Sequence, residues 1–224
     1  MPVYNAPLLS IDAAEARRYA GLQKAADFNE GKILEACEDT RLLAKPRGIW
    51  EIYDYDCETQ TINANPPCLL QGKKIGQHLA GCEKVIALSA TVGEDIEEDI
   101  TRRFSSGEYS SAVLMDAAAT AAVEQLADGM EKAISPKMAA QGFLLKWRFS
   151  PGYGDWPLEQ QPELIRLAKA EQIGVKLTTS MMLTPRKSIT ALIGLYRKQE
   201  NSTAEHSPKG CAACTQKNCP SRRK

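Results

Sequence analysis

The C-terminal end of the sequence carries three closely spaced cysteines, Cys211, Cys214 and Cys219. The gap between the first two is one at which two thiolates can bind a single tetrahedral metal ion or an iron of an iron–sulfur cluster. Three sulfurs leave one ligand position for His206, another cysteine, a partner protein or water. Neighbouring basic residues favour the thiolate form. This spacing predicts a zinc or iron–sulfur site, and the alternative interpretation is a reduced, disordered tail.

A second candidate site lies on a predicted strand over residues 143–150, whose alternation gives it one packed face and one open face. The packed face is predicted to carry Leu145, Trp147 and Phe149, and the open face Lys146, Arg148 and Ser150. The open face therefore presents an arginine to a ligand.

The residues after this strand extend the candidate site. Pro151-Gly152 predicts a turn in which glycine allows the backbone to approach a ligand closely, and Tyr153 adds an aromatic ring with a hydroxyl group. Together with Arg148, these groups suit a ligand that has a carboxylate and an aromatic part. The plainer interpretation is an ordinary strand-to-helix connection with an exposed arginine and a tyrosine in the turn.

Common enzyme signatures are missing from the sequence. There is no phosphate-binding loop and no His-Glu-x-x-His, and Gly152-Tyr-Gly154 lacks the third glycine of a dinucleotide fingerprint. The two histidines, His78 and His206, do not indicate histidine catalysis, and the hydroxyl-rich stretch 178–188 has no nearby histidine base. Four further cysteines are predicted to be mostly buried small residues: Cys37, Cys57, Cys68 and Cys82.

Charge and hydropathy narrow the class of protein. Basic and acidic side chains balance at 28 each, so no overall field attracts the chain to nucleic acid or to an anionic membrane. No apolar run approaches the roughly 18 residues that a membrane span needs, and the N-terminus has no basic segment followed by an apolar stretch. We therefore expect a cytoplasmic protein with neither a nucleic-acid partner nor a membrane partner.

The periodicity of the chain predicts an α+β fold, with a mixed or antiparallel central sheet flanked by helices and a helical N-terminal part over residues 1–46. Residues 1–200 are expected to form this domain, and residues 201–224 a flexible, basic, cysteine-rich tail. The strand at 84–91 is almost continuously apolar, which predicts a central position. The other main elements are predicted at 49–55, 93–107, 108–134, after Pro157, and at 188–196.

Two segments resemble the activation domain of cobalamin-dependent methionine synthase. Arg148-Phe-Ser-Pro-Gly-Tyr-Gly-Asp-Trp-Pro157 is similar to the Arg-x-x-x-Gly-Tyr-x-x-x-Pro signature of that family. Lys176-Leu-Thr-Thr-Ser-Met-Met-Leu-Thr-Pro-Arg-Lys-Ser188 is similar to its Lys-Leu-Thr-Glu-Ser segment, which is followed at the same distance by Pro and then Ser. The helix at 116–124 and the strand at 81–91 also resemble that domain, so the resemblance spans roughly residues 75–195.

The resemblance implies both a ligand and a set of contacts. Domains of that family bind S-adenosylmethionine, dock over the cobalamin-carrying domain and permit reductive methylation of cob(II)alamin. Carried onto matching positions, it implies that Arg148 pairs with the ligand carboxylate, the backbone of Ser150 and Gly152 lies beside it, and Tyr153 and Glu124 contact the ligand. On the residues alone, Glu124 has a second interpretation as a solvated member of a polar stripe with Asp116, Thr120 and Asp128.

Two function hypotheses follow. The first is an accessory protein that binds S-adenosylmethionine and helps to reactivate cobalamin on a methionine synthase or a related corrinoid methyltransferase, with an electron donor as a further partner. The second is a metal or iron–sulfur electron-transfer or docking protein for such a methyltransferase, without S-adenosylmethionine binding. Thr179 stands where the family usually has Glu, and the family's N-terminal ligand-contacting aspartate has no evident match, so the fold carries over better than ligand affinity.

Overall fold

The computed structural model describes residues 3–197, which contain six α-helices and eight strands. The helices are α1 (Ala13–Tyr19), α2 (Glu30–Leu43), α3 (Lys73–His78), α4 (Asp95–Ser105), α5 (Tyr109–Ala139) and α6 (Gln161–Ala168). The strands are β1 (Arg47–Asp56), β2 (Thr61–Ile62), β3 (Cys68–Leu69), β4 (Lys84–Thr91), β5 (Phe143–Leu145), β6 (Lys176–Leu177), β7 (Leu183–Thr184) and β8 (Ser188–Arg197).

Six of these strands form one sheet in the order β3-β2-β1-β4-β8-β5, and each pair of neighbours runs antiparallel. The apolar strand β4 lies at the centre, as its composition predicts, with Leu88 between Trp50 of β1 and Ala191 of β8. Strands β6 and β7 form a separate antiparallel pair. The predicted fold class, an α+β arrangement with helices around an antiparallel sheet, is confirmed.

Side chains of β4 alternate between two apolar cores, one on each face of the sheet. Ile86 and Leu88 join a core with α1, α2, α4 and α5. Val85 and Ala87 join a second core on the opposite face, formed largely with α6 and the segments around it. The sheet is therefore covered on both faces, which explains why β4 is apolar along nearly its whole length.

Helix α5 is the main element of the first layer. Its alanines, of which Ala118, Ala119 and Ala122 are fully buried, allow the helix to lie close to its neighbours and favour helix formation. The helix ends at Ala139, five residues beyond the predicted end, and Pro136 stands in its last turn. At 31 residues, α5 has a length of about 46 Å. Beyond its alanines it still contributes Met130, Ile134 and Met138 to the first core.

The N-terminal part contains two helices that pack on α5, together with an extended segment before them. The Asp12 side chain caps α1, and the Asn29 side chain caps α2. We call residues 3–12 the strap; its Tyr4 pairs antiparallel with Gly48, next to the first residue of β1.

Two further predictions concern membrane helices and the division of the chain into a domain and a tail. Within residues 3–197 no helix has the combination of length and apolar character needed to cross a bilayer. The division into a domain at 1–200 and a tail at 201–224 stays a prediction, because the residues from 198 onward lie outside the described part of the chain.

Candidate functional site

The position of Arg148 is set by an irregular pairing at the edge of the sheet, between the segment after β5 and β8. Leu145 pairs with Leu195 of β8 and Phe149 pairs with Leu192, so three residues on one side oppose two on the other, as in a β-bulge. The predicted strand over 143–150 is thus wrong beyond Leu145. The predicted common face of Leu145, Trp147 and Phe149 is wrong as well, because Leu145 packs in the α5 core and the two aromatic residues pack in the opposite one.

The extra residue turns the Arg148 side chain toward α5, where it binds three carboxylates. Its Nη1 donates to Oε1 of Glu131 at 2.5 Å, and its Nη2 donates to Oδ1 of Asp128 at 2.8 Å and to Oε2 of Glu124 at 3.1 Å. The arginine side chain is only 18% exposed. Burial lowers the pKa of Arg148, but the charges of Glu131 and Asp128 outweigh burial, so the pKa rises and the guanidinium stays charged.

These carboxylates belong to a polar stripe along one side of α5. Its members recur at intervals of three and four residues and are Asp116, Thr120, Glu124, Asp128 and Glu131. Lys187, which precedes β8, contacts the first part of the stripe, with Nζ 2.9 Å from both Asp116 Oδ1 and Thr120 Oγ1. Arg148 and Lys187 therefore compensate negative charge of the stripe. Glu124 is an ion-paired residue instead of a freely solvated one.

The turn after Arg148 is well supported by hydrogen bonds. Ser150 Oγ donates to the Thr190 carbonyl of β8 at 2.7 Å, and Gly152 N donates to the Trp156 carbonyl at 2.8 Å. Gly152 has φ +86°, a conformation that favours glycine, whereas a Cβ there would meet only Leu158 at 3.7 Å. Glycine is thus needed for the backbone conformation and not for lack of space. The Tyr153 side chain is 64% exposed.

Asp155 anchors the same loop to the start of α3. Its Oδ2 accepts from Lys73 N at 3.0 Å and its Oδ1 from Lys74 N at 2.9 Å. The neighbouring Trp156 is buried, and its Nε1 donates to Gln160 Oε1 at 2.6 Å. The geometry of the turn thus has a local cause in hydrogen bonds to α3 and to the segment before α6.

His78, at the end of α3, packs against Trp147 and Phe149, the residues on either side of Arg148. Its Nε2 lies 2.9 Å from the Trp147 carbonyl, to which it donates, and its ring stacks on Phe149. Burial lowers the pKa of His78 despite that hydrogen bond. His78 is therefore a packing residue with a satisfied hydrogen bond, and nothing in its surroundings indicates a catalytic role.

A cleft of about 770 Å³ separates the strap from α5 and reaches Glu124 and Asp128. Gln125 bridges this cleft, since its Oε1 accepts from Asp12 N at 3.2 Å and its Nε2 donates to the Ser10 carbonyl at 2.7 Å. One side chain of α5 thereby holds the strap at two points. The lining also includes small and apolar residues of the strap and of α5, together with Glu15, Gly129 and Lys132.

The charge in this cleft is mainly negative. Its lining includes one lysine, Lys132, against four carboxylates, Asp12, Glu15, Glu124 and Asp128. Burial raises the pKa of Tyr19 in α1, and the negative charge of Glu124 raises it further. The charge on α5 therefore also acts on α1. One carboxylate oxygen of Asp12 already has hydrogen-bond partners within the protein, because its Oδ1 accepts from Ala14 N and Glu15 N at the start of α1.

The sequence-predicted residues are brought together only in part. Glu124 and Arg148 are in direct contact, and Glu124 lines the cleft. Ser150, Gly152 and Tyr153 lie on the following turn and are not among the residues that line it. The predicted metal ligands, Cys211, Cys214 and Cys219, lie outside the described residues.

Sequence reasoning missed the strap, Gln125 and Glu131. The three- and four-residue spacing on α5 is the signal that could have added Glu131 to the stripe. Of the four cysteines predicted to be buried, Cys57 is exposed and the other three are buried: Cys37, Cys68 and Cys82. Among residues 3–197, no group of three or more His, Cys, Asp and Glu side chains is arranged to hold a metal ion.

The fold resembles a solved structure described as the MetH reactivation domain bound to AdoHcy. The TM-score is 0.55, and the match covers 90% of this chain and 81% of that one at 13% sequence identity. The sequence itself matches no model of a known protein family and no curated protein. The chain therefore has an activation-domain-like fold, at a degree of sequence identity that establishes the fold alone.

Proposed function

We propose that this protein binds S-adenosylmethionine in the cleft between the strap and α5 and acts as an activation module for a corrinoid methyltransferase. The proposal is supported by the activation-domain-like fold, which in the solved neighbour binds AdoHcy. The observation that carries it is the contact between Arg148 of the recognised motif and Glu124 of α5, 3.1 Å apart beside the cleft. Both positions are ligand contacts in the family that the sequence resembles.

The cleft is suitable for a nucleoside of this size. Its volume of about 770 Å³ lies within the range of small-molecule sites. Apolar strap residues such as Leu8 and Leu9 form one wall, and the polar stripe of α5 forms the other. Tyr153 is exposed on the neighbouring turn, where it can contact a ligand or a partner domain.

In the reaction we propose, S-adenosylmethionine supplies the methyl group, and a separate reductant supplies the electron that cob(II)alamin must gain before it can accept a methyl cation. The cobalamin belongs to the partner, which is a methionine synthase or a related corrinoid protein. This chain binds and orients the methyl donor and docks on the partner. Its residues perform no bond-making step of their own.

Calorimetric titration with S-adenosylmethionine tests the ligand part of the proposal. We expect binding by the wild-type protein and at least about tenfold weaker binding by Glu124→Gln, which removes one charge from the cleft wall. Glu171→Gln is the matched control, because Glu171 is exposed and lies in the layer on the opposite face of the sheet. Absence of binding by the wild type, with the corrinoid partner present, would remove this function.

Reactivation is tested with the partner itself. A corrinoid protein in the cob(II)alamin state is mixed with a reductant, S-adenosylmethionine and this chain, and formation of methylcobalamin is followed by its absorption spectrum. The expected result is a rate that depends on this chain and falls with Glu124→Gln but not with Glu171→Gln. An unchanged rate without the chain would contradict the activating role.

A second candidate function rests on the cysteine spacing at Cys211, Cys214 and Cys219. Here the protein carries a zinc ion or an iron–sulfur cluster and either passes electrons to the corrinoid or docks on it. Anaerobic purification followed by iron, zinc and sulfide analysis tests it, and the lack of stoichiometric metal would exclude it. Serine variants of the three cysteines separate the two functions: lost reactivation with retained S-adenosylmethionine binding would support electron delivery.

A further inference from the structure

Cys57 is the one exposed cysteine among residues 3–197. The other cysteines of that range are buried, and burial raises the pKa of each thiol to about 11: Cys37, Cys68 and Cys82. A metal ion binds the thiolate, so these three are poor ligands at neutral pH. His78 is also a poor candidate, because it is largely buried and its Nε2 donates to the Trp147 carbonyl. Within residues 3–197, Cys57 is therefore the soft ligand that an ion can reach.

Cys57 lies at the end of the sheet where β8 ends. It directly follows β1, and β1 and β8 run in the same direction on either side of β4. Tyr55 N donates to the Glu83 carbonyl at 2.8 Å, and Glu83 N donates to the Leu195 carbonyl at 3.0 Å, so the three strands are still hydrogen-bonded there. Two strand spacings separate β1 from β8, which places Cys57 on the order of 10 Å from Arg197.

The three cysteines of the sequence motif follow β8 at a distance along the chain that allows them to reach Cys57. Cys211 comes 14 positions after Arg197, and a chain of that length spans up to about 45 Å when extended. With Cys214 and Cys219, the motif supplies three of the four ligands that a tetrahedral ion requires.

The charges on the two sides are complementary. Asp56 and Glu58 flank Cys57, and hydrogen bonds from Thr59 and from the backbone of Glu58 hold the pKa of Asp56 below its usual value, so this carboxylate is charged at neutral pH. The segment 207–224 has no acidic residue and five basic ones: Lys209, Lys217, Arg222, Arg223 and Lys224. Opposite charges at short range favour their association.

We infer that Cys57 is the fourth thiolate of a four-cysteine site that it forms with Cys211, Cys214 and Cys219. The site takes a zinc ion or an iron–sulfur cluster, both of which accept four thiolates, and it fastens the basic segment to the end of β1. This rests on the second candidate function and completes its ligand set. Each thiol releases its proton when the ion binds.

Cobalt(II) titrated into the metal-free full chain tests the ligand set, because each bound thiolate adds to a charge-transfer band in the near ultraviolet. We expect Cys57→Ser to remove about one quarter of that band and to weaken binding at least about tenfold. His206→Asn is the matched control, since it removes the competing candidate for the fourth position, and it should leave band and affinity unchanged. An unaltered band with Cys57→Ser would overturn the inference and leave the second candidate function in place. Failure of the wild type to bind cobalt, with no zinc or iron in the protein as isolated, would exclude that function itself.

The reactivity of Cys57 gives a second measurement in the wild-type protein, where no variant has to fold. A thiol reagent should modify Cys57 slowly while the ion is bound and at least about tenfold faster after a chelator has removed it. Peptide mapping assigns the modified residue. Rapid modification of Cys57 in the metal-loaded protein would show that it is not a ligand.

Discussion

Replacing Arg148 by methionine removes the guanidinium and keeps a side chain of similar length against the sheet. It leaves Glu124, Asp128 and Glu131 close together without a cation. At about 4 Å and an effective dielectric constant of about 20, each ion pair contributes roughly 4 kcal/mol of attraction before desolvation is counted. Asp128 is 46% exposed and Glu124 34%, so water replaces much of this when the arginine is lost.

We therefore expect Arg148→Met to lower the free energy of unfolding by about 3 kcal/mol, at the lower end of the range for breaking a buried ion pair. Urea unfolding followed by circular dichroism measures the change. Arg186→Met is the matched control: the Arg186 side chain is 61% exposed and its Nε is 3.6 Å from Glu97, so its loss should cost less than about 1 kcal/mol.

A double-mutant cycle with Glu131→Gln separates the ion pair from general packing. Glu131 makes the 2.5 Å contact, so its neutralisation should cost less in the Arg148→Met background than in the wild type, with a coupling of at least about 1 kcal/mol. Equal losses of stability for Arg148→Met and Arg186→Met, or a coupling near zero, would refute the view that this network stabilises α5 against the sheet.

Two further predictions concern titratable groups away from the cleft. Because burial lowers the pKa of His78 below its unfolded value of about 6.5, its contribution to stability is complete above that pH and is lost as the pH falls through the lower folded pKa. Urea unfolding at several pH values should show this loss, and His78→Gln should reduce the slope; an unchanged slope would contradict the assignment. In a variant with serine at the three C-terminal cysteines, a thiol reagent at pH 7.5 should modify Cys57 rapidly and the other thiols only on unfolding. The slow thiols are those whose pKa burial raises to about 11, namely Cys37, Cys68 and Cys82; rapid reaction of more than one thiol in the folded protein would refute this.

The main elements could be predicted because their patterns are long and unambiguous. The bounds of β4 agree with the prediction at 84–91, and β8 extends one residue beyond the predicted 188–196. A segment of this length that is apolar almost throughout and bounded by polar residues is typical of a central strand. The short strands β2, β3, β6 and β7 were not predicted individually, because two-residue strands depend on their partners and have no periodicity of their own.

The bulge beside Arg148 could not be read from the sequence. Alternation over 143–150 is equally compatible with a straight strand, and an inserted residue is specified by how the segment pairs with β8. That single residue decides whether the arginine faces α5 or α6. The partners of Arg148 were also hidden, since they lie 17 to 24 residues earlier on a helix.

The two motifs behind the family resemblance share a structural role. The first contains Arg148 and the second contains Lys187, and these two side chains compensate the polar stripe of α5 at its two ends. A long helix that packs on a sheet with a stripe of carboxylates must pair them with cations or lose stability through repulsion and desolvation. Arg148 and Lys187 of the two motifs thus have a role in the fold whether or not a ligand is bound. For this reason, loss of S-adenosylmethionine binding in an Arg148 variant cannot by itself assign a ligand contact, whereas a change in the charge of the ligand, with the protein unaltered, can.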